Sequence, residues 1–418
     1  LTGTGGTRGV AATRAWQELL DEAAARAIEG LRCIRLADSS SSRDNDAILT
    51  FVESRTMAMT GLVVNYARRP DYFAFLRMQG DTSVVFLQED EQGDLKGLGS
   101  FAYRTGLVDG NTARIGYVGD LRVAAYRLGQ VQWRKVYATH LARARDAGVV
   151  AHYTAILDDN LPARRALVEE ASLKNGYVYD PLLRYGMVNV LGRVPIPRRA
   201  RGPTAAEAGI LVRRARASDE AKLISFLVEC ERSRLFGEDF STVAWSFRLN
   251  RWPNFALEDF LVAVAPAGDI VGCTLPWSPR GAKSVVVERL PPMLKALRHV
   301  LNATGAQPRV PAQGEHLEFL YLTHLRFGTS LAQQERVAAL ESFLLEARRT
   351  ARAQGYHFVS FQDATIGAMA PALARRGWLC QRVPATLYSV RERERPREAF
   401  VEEAISGRRE VAFEMALI

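Results

Sequence analysis

Several things are scarce in this chain, and each scarcity removes a class of function. No apolar run in the 418 residues reaches the roughly 20 residues that a membrane-spanning helix needs. The stretch Leu1 to Arg14 is rich in Gly and Thr and has no basic patch followed by an apolar core, so it does not read as a secretion signal. A cytoplasmic protein with no membrane partner is the expectation. The four cysteines, Cys33, Cys230, Cys273 and Cys380, stand far apart. That spacing excludes a C-x-x-C redox pair and a zinc knuckle, so four free thiols and no metal are expected. Leu1 to Arg8 (LTGTGGTR) has no Gly-Lys-Ser/Thr ending and no preceding strand, so it is not a phosphate loop; a flexible terminus is expected. The net charge is +9, yet the arginines are scattered and mixed with acids. They do not form the basic stripe with interleaved aromatics that a single-strand binder needs, so nucleic acid is not an expected partner.

The remaining composition, 48% apolar and 24% charged, is that of a globular protein long enough for two domains. A helix is predicted over 11–30, a short strand over 31–38 and a helix over 44–68. A hairpin follows over 81–105, turning at Gly93. A strand ending at Val123 leads into a helix that Gly148 stops, then the strand VVAHYTAIL, a helix over about 160–172 and two closing strands over 176–191. The segment 195–209 (PIPRRARGPTAAEAG) reads as a linker. The same order then recurs from 209 to about 390, with an extra insertion over roughly 280–314. Tyr117-Val118-Gly119-Asp120-Leu121-Arg122-Val123 stands opposite Tyr321-Leu322-Thr323-His324-Leu325-Arg326-Phe327, each followed by a helix, a glycine and a buried strand. Duplication of a whole domain follows: an N-terminal extension (1–30), a first domain (31–193), a linker (194–208), a second domain (209–390) and a tail (391–418) expected to pack on a domain or a partner.

This order resembles the GNAT superfamily of acyl-CoA-dependent N-acyltransferases. The segment Tyr117 to Val136 (YVGDLRVAAYRLGQVQWRKV) carries most of the resemblance, with ILDDNLPARRAL over 156–167 and the pairs Gly176-Tyr177 and Gly377-Trp378 adding to it. The resemblance covers about 31–193 and 209–390. It implies an α/β chain of two tandem GNAT-like domains, each a mixed, mostly antiparallel sheet flanked by helices. It also implies acetyl-CoA or another acyl-CoA as co-substrate and an amine as acceptor. Such sites use parted strands for the pantetheine and a helix N-terminus for the pyrophosphate.

The superfamily loop R/Q-x-x-G-x-G/A is eroded here. Its three defining positions hold Leu128, Val131 and Trp133, with Gly129, Arg134 and Lys135 beside them. The second copy has GTSLAQQERVAAL instead, so CoA is expected in the first half alone. The cofactor contacts implied by the resemblance are Leu121, Val123, Leu128, Gly129, Val131, Trp133, Arg134 and Asn160. Asp120 is the candidate general base, against the plain alternative of an ion pair with a nearby arginine. Leu167 occupies the usual place of the acid, leaving Tyr177 or Tyr153 as substitutes. His316, Glu318 and His324 share a strand face by period-two spacing. The competing reading is an inactive tandem GNAT-fold scaffold, and a homodimer is compatible with either.

Overall fold

In a computed structural model, residues 5–31, 33–59, 61–124, 127–169, 176–197, 202–303, 309–363 and 369–418 are described. The first half of the chain supplies β1 (Ile34–Leu36), β2 (Met57–Met59), β3 (Leu62–Ala67), β4 (Thr82–Glu89), β5 (Leu95–Val108), β6 (Asn111–Val123), β7 (Val149–Leu157) and β8 (Tyr177–Arg193). The second supplies β9 (Leu211–Arg214), β10 (Gly237–Glu238), β11 (Leu261–Val264), β12 (Ile270–Trp277), β13 (Ser284–Arg289), β14 (His316–Leu317), β15 (Phe319–Phe327), β16 (Phe358–Asp363) and β17 (Trp378–Glu392). The helices that matter below are α1 (Gly5–Ile28), α2 (Ser42–Glu53), α3 (Tyr72–Gln79), α4 (Arg127–Asp146), α5 (Leu161–Arg164), α6 (Glu220–Arg232), α7 (Thr242–Arg251), α8 (Pro292–Ala303) and α9 (Gln333–Gln354).

Local chemistry accounts for most of these elements. Asp109 (φ 53°) and Gly110 (φ 73°) make the tight turn between β5 and β6, the paired left-handed conformation that suits strand twist. At α9, Glu335 accepts the Ala332 N–H at 2.7 Å, and Gly355 ends the helix at φ 75°. Its buried face carries Val337, Leu340, Phe343, Leu344 and Ala347. Four expectations change. The predicted helix over 44–68 stops at Glu53, and β2 and β3 follow it; Gly61 at φ 85° turns between them. The two closing strands over 176–191 are one strand, β8. The strand read over 316–327 divides at Glu318, its first residues joining another sheet. The N-terminal residues from Gly5 are helical rather than irregular.

The main sheet has 13 strands in the order β1-β4-β5-β6-β7-β17-β8-β16-β15-β12-β11-β9, with β10 on β5. Each half contributes one parallel pair, β6 with β7 and β15 with β16. The last strands cross over: β17 pairs with β7 of the first half, and β8 pairs with β16 of the second. A four-stranded sheet, β14-β13-β3-β2, joins the halves again, because β13 of the second-half insertion pairs with β3.

The repeat is visible in a detail of the backbone. Asp120 and Leu121 stand against Gly99 alone, between the pairs Gly119↔Ser100 and Arg122↔Leu98. His324 and Leu325 stand against Thr274 alone, between Thr323↔Leu275 and Arg326↔Cys273. Both are β-bulges, and their first residues have φ 53° and 51°. This left-handed backbone is unusual for residues other than glycine, so its recurrence at matched positions marks the two halves as versions of one plan.

Trp133 on α4 packs into the first-half core, 4% exposed, and its Nε1 donates to Gln88 Oε1 at 2.7 Å. Glycine makes this approach feasible. A Cβ on Gly97 would lie 2.6 Å from Trp133 Nε1 and 2.7 Å from Gln88 Oε1. Gly97→Ala is therefore expected to cost about 1–3 kcal/mol through overpacking, measured by urea denaturation; an unchanged midpoint would refute this packing.

The tail is ordered into the body. Val411, Ala412, Phe413 and Ala416 are buried, Val411 bridges Leu235, and Gln79 Nε2 donates to the Leu417 carbonyl at 2.5 Å. Glu414 Oε1 accepts from Arg326 at 3.1 Å, and the Glu414 carboxylate also takes the His324 main-chain N–H at 3.1 and 3.2 Å. Among the described residues, no helix is long and apolar enough to cross a membrane.

Candidate active site

Strands β6 and β7 run side by side only as far as Tyr117 and Tyr153. Thr154 Oγ1 then donates to the Val118 carbonyl at 2.7 Å, and past that point the strands part. A cleft of about 490 Å³ opens there, walled by Gly119 to Arg122 of β6, Thr154 to Leu157 of β7, Asn160 and Ala163. The opposite wall comes from far along the sequence: Lys283, Ser284, Glu318 and Tyr321 of the second half, and Met415, Ala416 and Ile418 of the tail. The second parallel pair also parts, after Tyr321 and Ser360, but Leu322, Thr323, His324 and Phe361 beyond it are buried.

Asp120 sits at the bulge, inside the cleft. Arg68, next after β3, grips it through both guanidinium ends at 2.7 and 2.8 Å. The Tyr72 hydroxyl donates to Oδ2 at 2.9 Å, and Ser100 Oγ lies at 3.3 Å. The Arg68 and Asp120 side chains are 3% and 9% exposed. Burial pushes the Asp120 carboxyl up, but Arg68 and Arg122 outweigh burial and hold it at about 2. A carboxylate so held is a poor proton acceptor at neutral pH. The structure therefore favours the ion-pair reading of Asp120 over the general-base one. Nothing in the sequence linked the two residues, which lie 52 positions apart.

Lys283 enters this cleft from the second half. Its Nζ lies 4.5 Å from the Tyr66 ring centroid and 4.7 Å from that of Phe75, and it donates to the Ile418 main-chain oxygen. Burial brings its ammonium down to about 7, with Arg68 and Arg122 adding to the effect and Asp120 opposing it. Glu318 lines the cleft with a looser set of partners, Arg280 Nε at 3.6 Å and His316 Nδ1 at 4.0 Å.

The residues predicted from sequence scatter around this geometry. Leu121 and Asn160 line the cleft; the Asn160 side chain also caps α5, accepting from the Ala163 N–H at 3.3 Å. Val123 stays on the β5 ladder opposite Gly97, Trp133 is core, and neither Arg134 nor Tyr177 is part of the cleft lining. Tyr177 packs its ring 5.7 Å from Tyr137 and 5.9 Å from Tyr179, and burial pushes its hydroxyl up to about 12 against the pull of Arg134. Leu128, Gly129 and Val131 fall in the first turns of α4, and their side chains lie outside the described residues. Tyr137 does line the cleft, and its buried hydroxyl has no partner among the described residues. No sequence pattern points to that position, because Tyr137 reads as one more aromatic on an amphipathic helix. His324 lies apart from His316 and Glu318 and forms a buried group with Glu238 and Glu414, ligand atoms within 4.8 Å of one another. Arg248 and Arg326 already pair with those two carboxylates, and their charges oppose a metal ion there.

No family model and no curated protein matches the chain. Solved structures do. One is the GCN5-related glucosamine N-acetyltransferase region of a fungal multi-domain GH3 β-N-acetylglucosaminidase, at 12% identity and TM-score 0.55 over 86% of this chain. The match spans 38% of that longer protein. Another is Saccharomyces cerevisiae N-myristoyltransferase with bound myristoyl-CoA, at 11% identity and TM-score 0.53 over 92% of this chain and 86% of the other. At such identities the likeness is one of fold, and the fold is the GNAT fold in two tandem copies.

Proposed function

We propose that the chain is an acyl-CoA-dependent N-acyltransferase whose thioester lies between the parted ends of β6 and β7. The observation that carries this reading is the open split itself, whose parted strand ends line the cleft, whereas Leu322, Thr323, His324 and Phe361 beyond the split of β15 and β16 are buried. Beyond Val118, β6 offers main-chain groups that β7 does not use, which suits the amides of a pantetheine arm. The solved N-myristoyltransferase structures with bound myristoyl-CoA share the fold, which supports an acyl-CoA and leaves the acyl group open; acetyl is the simplest choice. In the reaction an amine nitrogen attacks the thioester carbon, the C–S bond breaks, and the departing thiolate takes a proton. Tyr137, which lines the cleft and whose buried hydroxyl has no partner among the described residues, is the donor to that sulfur. The ammonium proton passes to Glu318, a cleft carboxylate whose nearest cations among the described residues stand at 3.6 and 4.0 Å. Asp120 and Arg68 fix the bulge that shapes the site.

Calorimetric titration with acetyl-CoA and longer acyl-CoAs is expected to show saturable binding. Ala163→Trp, which fills the cleft mouth, is expected to abolish it. Glu318→Gln is expected to lower kcat by about 10²–10⁴ with acyl-CoA binding retained. If Lys283 accepts the proton instead, Glu318→Gln leaves kcat unchanged, the rate rises with pH through about 7, and Lys283→Arg abolishes it. No binding at millimolar acyl-CoA would leave the scaffold reading in its place.

A further inference from the structure

We infer that the amine acceptor carries an anionic group, a carboxylate or phosphate, recognised by Arg55 and Arg122 on the cleft wall where α2 ends beside β6. The inference rests on the acyl-transfer reading and names the class of its second substrate. Three guanidinium groups line this part of the cleft, those of Arg55, Arg68 and Arg122, and the one carboxylate among them, Asp120, is consumed by Arg68 and Tyr72. Arg122 Nη1 donates to the Val52 and Arg55 carbonyls at 3.1 and 3.3 Å. Those bonds close the last turn of α2, and the rest of the fork has no hydrogen-bond partner among the described residues. The Arg122 guanidinium lies 5.7 Å from the Tyr66 ring and that of Arg55 4.9 Å from the Phe51 ring, and neither makes an ion pair with a carboxylate among the described residues. Arg68 is 3% exposed, and its Nε has no hydrogen-bond partner among the described residues. Arg122 is half-buried, and a guanidinium taken partly out of water without a paired carboxylate is costly. Burial and Arg68 accordingly pull the Arg122 pKa down, with Asp120 resisting. A ligand anion supplies the missing partner, and the planar forks suit carboxylate or phosphate oxygens.

The same cations could instead meet the phosphates of the acyl-CoA, and a titration with inorganic phosphate separates the two sources. At low ionic strength the wild-type protein is expected to bind one phosphate, both alone and in the presence of saturating CoA. Arg122→Gln and Arg55→Gln are each expected to weaken that binding by about 10-fold while leaving CoA affinity unchanged. Arg55 is exposed, so its variant keeps the fold even where Arg122→Gln strains the end of α2. Displacement of phosphate by CoA would overturn the assignment and give these arginines to the cofactor. Phosphate binding equal in wild type and both variants would mean an adventitious ion only, and would overturn it too. Failure of CoA to bind the wild-type protein would sink the acyl-transfer reading, yet the titration without CoA would still decide the anion site.

Discussion

Arg68→Met is expected to lower the unfolding free energy by about 3–5 kcal/mol, because it strands a buried carboxylate. The pair is almost fully enclosed and bidentate, so solvent screening gives little relief. Removing the cation costs the Asp120 charge its nearest compensation and also frees the bulge. The double variant Arg68→Met/Asp120→Leu is expected to recover most of the loss, since an apolar pair of similar size carries no desolvation penalty. Urea denaturation followed by tryptophan fluorescence measures both. An Arg68→Met protein as stable as wild type would show that the pair does not hold the cleft together. The pH dependence follows from the same contact. Asp120 is held at about 2 against an ordinary 3.8. Its depressed folded-state value means that its contribution is complete above about pH 4 and is lost as the pH falls through about 2.

Arg326→Met is expected to have an effect of the same order, about 3–5 kcal/mol. Arg326 joins three segments: it pairs with Glu231 of α6 and, at 3.1 Å, with Glu414 of the tail, from its own place on β15. The Glu231 and Glu414 side chains are 0% and 6% exposed. Without the guanidinium, Glu231 keeps Arg234 at 3.0 Å, while Glu414 keeps, among the described residues, the His324 N–H. The tail is therefore expected to loosen before the rest unfolds, read as faster proteolysis beyond Ile405. A variant with wild-type stability and an uncleaved tail would show that Arg326 is not the tether.

What could be read from the sequence was local. Glycine stops at Gly148 and Gly355, the hairpin around Gly93, and the repeat of β6 in β15 all follow from turn chemistry and periodicity acting over a few residues. The segment 57–67 misled because its partner, β13, lies more than 200 residues away, and a short apolar run takes its conformation from such a partner. The site misled for the same reason. Arg68 and Tyr72, Lys283, and Glu318 come from three separate stretches, none with a motif. Of the catalytic and cofactor contacts named from the sequence, only Asp120, Leu121 and Asn160, which belong to the recognisable strand and helix, line this cleft; Glu318 stands out in the sequence only for its strand face. Trp133 was misplaced because its fit depends on Gly97 and Gly99 of another strand, which no pattern within α4 reveals.

The crossing of β8 and β17 bears on how the chain comes off the ribosome. The wall of the first-half cleft includes Ala385 of β17, and β7 gains its outer neighbour from that strand alone. While residues 1–377 are being made, the edge of β7 is bare and the cleft lacks one side. Synthesis is thus near the end of the second half before the first can close, and an arrested nascent chain carries an exposed strand edge open to wrong pairing. Completion of the site is timed by translation, with the last long strand acting as the closing stitch for both halves at once.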